Sequence, residues 1–144
     1  MIYQETRLAP YARERIYAVV ADIERYPEFV PGWTRARVLR RADGLCHVEQ
    51  EIGLGPVHLS FASRAELRPP EGIVIHTSER PFKRFRIDWL FVQDQGPGCE
   101  VRLRVDLELG ASLLRPVVEG RFRSAAARLI PLFLARTDAL LQGR

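Results

Sequence analysis

The sequence predicts an α+β fold: a curved antiparallel sheet of about six or seven strands around one long C-terminal α-helix, with two short helices after the first strand. Three observations predict it. Residues 57–67 and 101–109 alternate inward and outward side chains with period two, and residues 114–141 repeat apolar side chains at helical spacing. Between the first strand and the rest of the sheet lies a corner, 22–33, in which Pro27 and Pro31 brace Tyr26, Phe29 and Trp33. An antiparallel sheet with one apolar face must cover it, and the terminal helix carries the matching stripe.

Residues 2–8 alternate and form the first strand. Residues 10–21 follow as a helix opening at Pro10, with Ile16, Val19, Val20 and Ile23 on one side. At the corner, proline disfavours helix at the residue before it, so Tyr26 and Val30 are expected breaks and Pro27 opens one short turn. Strands are then expected at 34–41, 45–54, 57–67 and 73–79, before a final hairpin. In 45–54, Cys46, Val48 and Ile52 face in, while His47, Glu49 and Glu51 face out; in 57–67, Val57, Leu59, Phe61, Ser63, Ala65 and Leu67 face in. The punctuation is Gly53-Leu54-Gly55-Pro56, Pro69-Pro70-Glu71-Gly72 and Gln95-Gly96-Pro97-Gly98.

The last of these turns fixes a register. A hairpin centred on Gly96 sets Trp89, Ile87 and Phe85 opposite Leu103, Val105 and Leu107 on the apolar face. On the wet face the same register opposes Asp88 to Arg104, Arg86 to Asp106 and Arg84 to Glu108. Opposite-charge pairs favour an alignment by roughly 0.2–1 kcal/mol each. The two earlier hairpins are expected to set Glu51 opposite His58 and Arg64 opposite His76, as surface pairs. The C-terminal stripe is Leu114, Val118, Phe122, Ala125, Leu129, Leu132, Phe133 and Leu140; Pro116 fits its first turn, and Pro131 predicts a kink or break in its interior.

With 144 residues, one domain over 1–144 is expected. No apolar run approaches the roughly 20 residues a bilayer span needs, and the polar start is unlike a signal peptide. Cytoplasmic residence follows as the expectation. Cys46 and Cys99 make no disulfide framework. The net charge of +4 sits wholly in residues 110–144, where arginines 115, 121, 123, 128, 136 and 144 face only Glu119 and Asp138. Such an excess is either a solvated face or a contact for phospholipid headgroups or RNA, with Arg115, Arg121, Arg123 and Arg128 as its candidates. DNA is not expected as a partner.

Several motifs resemble one family in order along nearly the whole chain. Ala21-Asp22-Ile23-Glu24-Arg25-Tyr26-Pro27-Glu28-Phe29-Val30-Pro31 is similar to the first-helix exit of the coenzyme Q-binding branch of the START-domain superfamily. Ile52-Gly53-Leu54 before a strand with Phe61, Ser63 and Arg64, Pro81-Phe82-Lys83-Arg84 leading to Trp89-Leu90-Phe91, and Phe133-Leu134-Ala135-Arg136 resemble the same branch. The chain departs from that pattern with Val30-Pro31-Gly32-Trp33 and with Arg80 before the Pro-Phe pair. The resemblance implies a START-like helix-grip fold and an isoprenoid quinone (ubiquinone) or other lipid held in a hydrophobic cavity, for respiration or quinone biosynthesis, without a redox cofactor. For bacterial members it implies association with the large ribosomal subunit as a toxin. Related polyketide aromatase/cyclases share the fold.

The residues themselves point to binding rather than catalysis. A hydrophobic-ligand site needs concave apolar surface with a few placed polar groups. Inward phases offer Phe61, Phe85, Trp89 and Phe91 from strands and Phe122, Leu129 and Phe133 from the helix, with Tyr26, Phe29, Val30 and Trp33 as a lid. Plain core is the competing reading for each. Tyr26, Trp33, Gln50, Ser63 and Thr77 are the polar groups in phase with that interior. His47, His58 and His76 face outward, and no phosphate loop, nucleophile elbow or metal-ligand spacing occurs. Glu79 is the carboxylate nearest a catalytic candidacy. If the helix arginines serve an anionic membrane, the protein works peripherally at the membrane's inner face.

Overall fold

The computed structural model describes residues 1–110 and 113–143. Strand β1 (Ile2–Ala9) leads to α1 (Arg13–Ala21) and to a 3-10 turn, Ile23–Glu28. Six strands follow: β2 (Trp33–Ala42), β3 (Leu45–Leu54), β4 (Val57–Arg68), β5 (Gly72–Thr77), β6 (Phe82–Gln93) and β7 (Cys99–Leu109). Two helices close the chain, α2 (Arg115–Ala126) and α3 (Leu129–Gly143). The seven strands form one antiparallel sheet in the order β1-β7-β6-β5-β4-β3-β2. It is a meander from β2 to β7 to which the N-terminal strand is added beside β7.

The alternation read in the sequence is the alternation of burial. Phe85, Ile87, Trp89 and Phe91 of β6 and Val101, Leu103, Val105, Leu107 and Leu109 of β7 are all buried, and they form one core with Val118, Phe122, Leu129, Ile130 and Phe133 of the helices. The β6–β7 register is the one expected, with Trp89 opposite Leu103 and Arg84 opposite Glu108. On the wet face, charges also close diagonally and along strands: Arg84 reaches both Asp106 (3.0 Å) and Glu108 (2.9 Å), while Arg86 takes Asp88 (2.8 Å). The β3–β4 hairpin differs from expectation. Leu54 pairs with Val57 around a two-residue Gly55-Pro56 turn, so His58 lies opposite Gly53 and Glu51 opposite Ser60. The phase alone allowed either register; the tighter turn, with Gly55 at φ +63°, decided it. Arg64 does oppose His76, whose Nε2 is 3.0 Å from Glu66.

Both proline predictions are corrected in position. The chain runs in 3-10 geometry through Tyr26 and Pro27, because its hydrogen bonds, Arg25 N–H to Asp22 O and Phe29 N–H to Tyr26 O, never call on the missing Pro27 donor. The long C-terminal helix is broken, and upstream of Pro131: α2 is capped at Ala127, four residues before the proline. A proline ring clashes with the carbonyl four residues earlier, so Pro131 is accommodated in the first turn of α3, where its N–H is not needed. Helix α1 begins at Arg13, three residues after Pro10.

Candidate functional site

The corner folds as a clasp. Gly32 adopts φ +97°, and a Cβ there would come within 3.0 Å of Leu54 and 3.1 Å of the Gly53 carbonyl. Its own carbonyl accepts the Gly53 N–H at 2.7 Å, tying the start of β2 to the β3–β4 turn. On the other side Glu28 accepts a 2.7 Å hydrogen bond from Arg136 of α3, and the Arg136 guanidinium lies 5.0 Å over the Phe29 ring. Arg136 holds the Glu28 carboxyl below its usual range, with Arg25 adding to the effect.

Beneath the corner the aromatic side chains pack against one another. Phe133 meets Tyr26, Phe29 and Trp89 edge-on at 5.1, 5.1 and 5.2 Å, and Trp89 stacks on Phe91 at 6.1 Å. A second cluster joins Phe61, Phe82, Phe85 and Phe122. Edge-to-face rings of this kind add about 0.5–1.5 kcal/mol per pair beyond their burial. Tyr26 belongs to this core: it is buried, its hydroxyl donates to the Val20 carbonyl, and burial raises its phenol far above the ordinary range. Between sheet and helices a void of only about 20 Å³ remains, against Trp33, Phe85, Phe122 and Leu129. Fully buried Phe61, Phe91 and Phe133 fill the space around it.

The larger space opens at the mouth of the grip. A groove of about 570 Å³ runs between the corner (Val30, Pro31, Trp33), the β3–β4 turn (Ile52, Leu54, Gly55) and the helices, which contribute Val117, Arg121, Phe122, Ser124, Arg128, Leu129 and Leu132. That volume suits a drug-sized ligand, for which pockets run roughly 300–1,000 Å³. Of the sequence-derived candidates, Val30, Trp33, Phe122, Leu129, Arg121 and Arg128 converge here. Phe61, Phe85, Trp89, Phe91 and Phe133 are buried in the core, as is Tyr26, and Phe29 covers Phe133. Sequence reasoning missed Pro31, Leu54, Val117 and Leu132. A leucine in the inward phase of β3 yet inside a Gly-Leu-Gly-Pro turn was the available signal for Leu54.

Trp33 stands between groove and void, lining both. Its Nε1–H donates to Gln50 Oε1 at 3.0 Å, and Gln50 Nε2–H donates to Ser63 Oγ at 2.7 Å. Gln50 and Ser63 are buried, so this chain satisfies polar groups that would otherwise stand desolvated. Thr77 is spent differently, its hydroxyl accepting the Glu79 N–H, and Glu79 is exposed and accepts the Ala62 N–H. The C-terminal arginines divide. Arg115 pairs with Glu108 and Glu119, and Arg136 with Glu28, whereas Arg121, Arg123 and Arg128 are exposed and have no carboxylate partner among the described residues. Arg144 lies outside the described residues. Leu113, Leu114 and Val117 are exposed apolar residues at the start of α2, and Val117 lines the groove.

Among the described residues no cluster of histidine, cysteine or carboxylate could hold a metal, and no helix is long and apolar enough to cross a membrane. Cys46 and Cys99 are buried free thiols. Comparison with known proteins places the fold. Residues 9–131 match the family described as polyketide cyclase / dehydrase and lipid transport. The chain belongs to that family. Within it, the chain is 26% identical to the ribosome association toxin RatA of Escherichia coli K12, over 96% of this chain and 88% of that protein. It is 33% identical to the mitochondrial coenzyme Q-binding protein COQ10 homolog B of Xenopus laevis, over 46% of this chain and 28% of that one. The Zhui aromatase/cyclase of Streptomyces sp. R1128 superposes with a TM-score of 0.88 at 14% identity, covering 99% of this chain and 96% of that one, a likeness of fold.

Proposed function

We propose that this family member binds a hydrophobic small molecule in the groove between the Val30–Trp33 corner, the β3–β4 turn and α2, with an isoprenoid quinone as the first ligand to test. The observation that carries this reading is the groove: about 570 Å³ of concave, largely apolar surface at the end of a core that is otherwise filled. Burying a hydrocarbon tail there is worth about 25 cal/mol per Å² of apolar surface removed from water. The lining contains no carboxylate, imidazole or phenol to move a proton, which favours carriage over cyclase chemistry. Exposed Leu113, Leu114 and Val117 beside Arg121 and Arg128 suit docking on an anionic membrane, where such a ligand partitions. The test is solvent extraction of the purified native protein followed by mass spectrometry, with quinone titration read by tryptophan fluorescence and melting temperature. A co-purifying quinone or lipid and a saturable shift are expected. An empty extract with no response to added quinone or lipid refutes the reading.

A second reading, association with the large ribosomal subunit, is favoured by similarity to RatA along 96% of the chain. Arg121, Arg123 and Arg128, without a carboxylate partner among the described residues, are the groups to contact RNA phosphates. This reading expects salt-sensitive co-sedimentation with the large subunit that is lost when all three are replaced by glutamine. Co-sedimentation unaffected by those substitutions removes the arginines from it.

A further inference from the structure

The groove carries something a neutral ligand does not require. Arg121 and Ser124 line it from one side of α2, and Arg128 lines it from the turn between α2 and α3. Neither guanidinium has a carboxylate partner among the described residues, and no acidic residue lines the groove. Two forks of N–H donors and a hydroxyl therefore face an apolar trough with no carboxylate among the described residues to accept from them. Arg121 is also positioned. Its guanidinium lies over the β3–β4 turn, where a Cβ on Gly55 would fall 2.3 Å from Nη1, so the missing side chain at residue 55 is what lets the cation settle at the groove mouth. Arg121 near the end of α2 and Arg128 in the turn that follows border the same groove, where two long arginine side chains can close around one headgroup.

We propose that the ligand of this groove is an anionic amphiphile: a hydrocarbon portion on the apolar wall of Val30, Leu54, Val117 and Leu132, and a single carboxylate or phosphate monoester head held between Arg121 and Arg128. This rests on the groove being a ligand site and names the chemistry of its ligand. Charge-assisted, bidentate hydrogen bonds are the strong ones, and arginine matches carboxylate and phosphate geometry. Both guanidiniums are exposed, so salt screens the gain and sets its scale at about tenfold in affinity.

The test is a matched ligand series titrated below its aggregation limit: oleate, oleyl phosphate, oleyl alcohol, a decyl-substituted quinone and inorganic phosphate. Binding is read by tryptophan fluorescence and calorimetry on the wild-type chain, R121Q, R128Q and R123Q, with circular dichroism melts as the folding control. The expected result is that oleate or oleyl phosphate binds about tenfold tighter than oleyl alcohol, with a margin that shrinks in high salt. R121Q and R128Q bring that margin close to one, and R123Q, whose arginine does not line the groove, keeps it. Which of the two acids binds tighter assigns carboxylate or phosphate. If alcohol and quinone bind as tightly as the acids, or the margin survives R121Q and R128Q, the headgroup inference is overturned while the groove stands. If inorganic phosphate binds as tightly as oleyl phosphate, the hydrocarbon part of the inference is overturned. If none of the five binds, the groove reading fails and this inference with it.

Discussion

Removing Gln50 and Ser63 of the Trp33–Gln50–Ser63 chain together should cost less than the sum of removing each. Gln50 is 2% exposed and Ser63 4%, so neither can turn to water when its partner is lost. S63A leaves Gln50 Nε2 with an unmade hydrogen bond inside the core, and Q50L leaves the Ser63 hydroxyl in the same state. Each single substitution is expected to cost about 1–3 kcal/mol, the penalty of stranding a buried polar group, whereas taking out both partners leaves neither of them stranded and keeps only the Trp33 N–H loss that Q50L causes alone. The combined Q50L/S63A variant should therefore fall short of the sum of its parts by about 1–2 kcal/mol, within the range of couplings between touching side chains. Urea unfolding followed by far-UV circular dichroism measures this, with unchanged m-values as the check that the unfolded state is common to all variants. In thermal melts, 1 kcal/mol corresponds to roughly 2–4 °C for a chain near this size. Strict additivity of the two single costs would refute the reasoning, since it would mean that Gln50 and Ser63 each find other partners. The same variants test Trp33: with Q50L its indole loses the 3.0 Å acceptor, and its emission should broaden as the ring gains freedom at the groove wall.

Other consequences follow from the same structure. G55A puts a side chain at φ +63° and against the Arg121 guanidinium, so it should cost about 1–2 kcal/mol in strain and also weaken anionic ligands, which the urea and titration assays above read separately. P131A relieves the clash that ends α2 at Ala127, so the two helices should merge across the groove wall; slower ligand exchange with vesicles at unchanged affinity is the expected stopped-flow result. E28Q releases the corner from Arg136. Because Glu28 is held below its usual range in the folded state, its contribution is complete above the ordinary glutamate value of about 4.3 and is lost as pH falls through the depressed folded value. The melting temperatures of wild type and E28Q should accordingly differ by a constant amount from pH 7 to about 5 and converge in stronger acid.

Period-two and helical patterning made the sheet, its β6–β7 register and the covering helices legible in the sequence, because those features depend on which face of an element each side chain presents. Local backbone chemistry was legible in kind and less so in place. Pro131 announced a broken helix, but the break falls at Ala127, since the clash acts four residues upstream. The β3–β4 register turned on a two-residue turn that alternation alone could not distinguish from a wider one. The candidate site was the least legible part. Inwardness marks Phe61, Trp89 and Phe133 as strongly as it marks Trp33 and Leu129, yet only the last two border the groove. Whether an inward aromatic fills space or lines it depends on how far a curved sheet stands from its helices, and that distance is set by all the side chains together. Patterning along the chain was enough for a sheet with one apolar face, the stripe that covers it and an arginine excess at the C-terminus. The groove at the mouth, and the lack of a carboxylate partner for Arg121 and Arg128 among the described residues, came only with the folded chain, because ion pairing and cavity shape are properties of elements distant in the chain brought side by side.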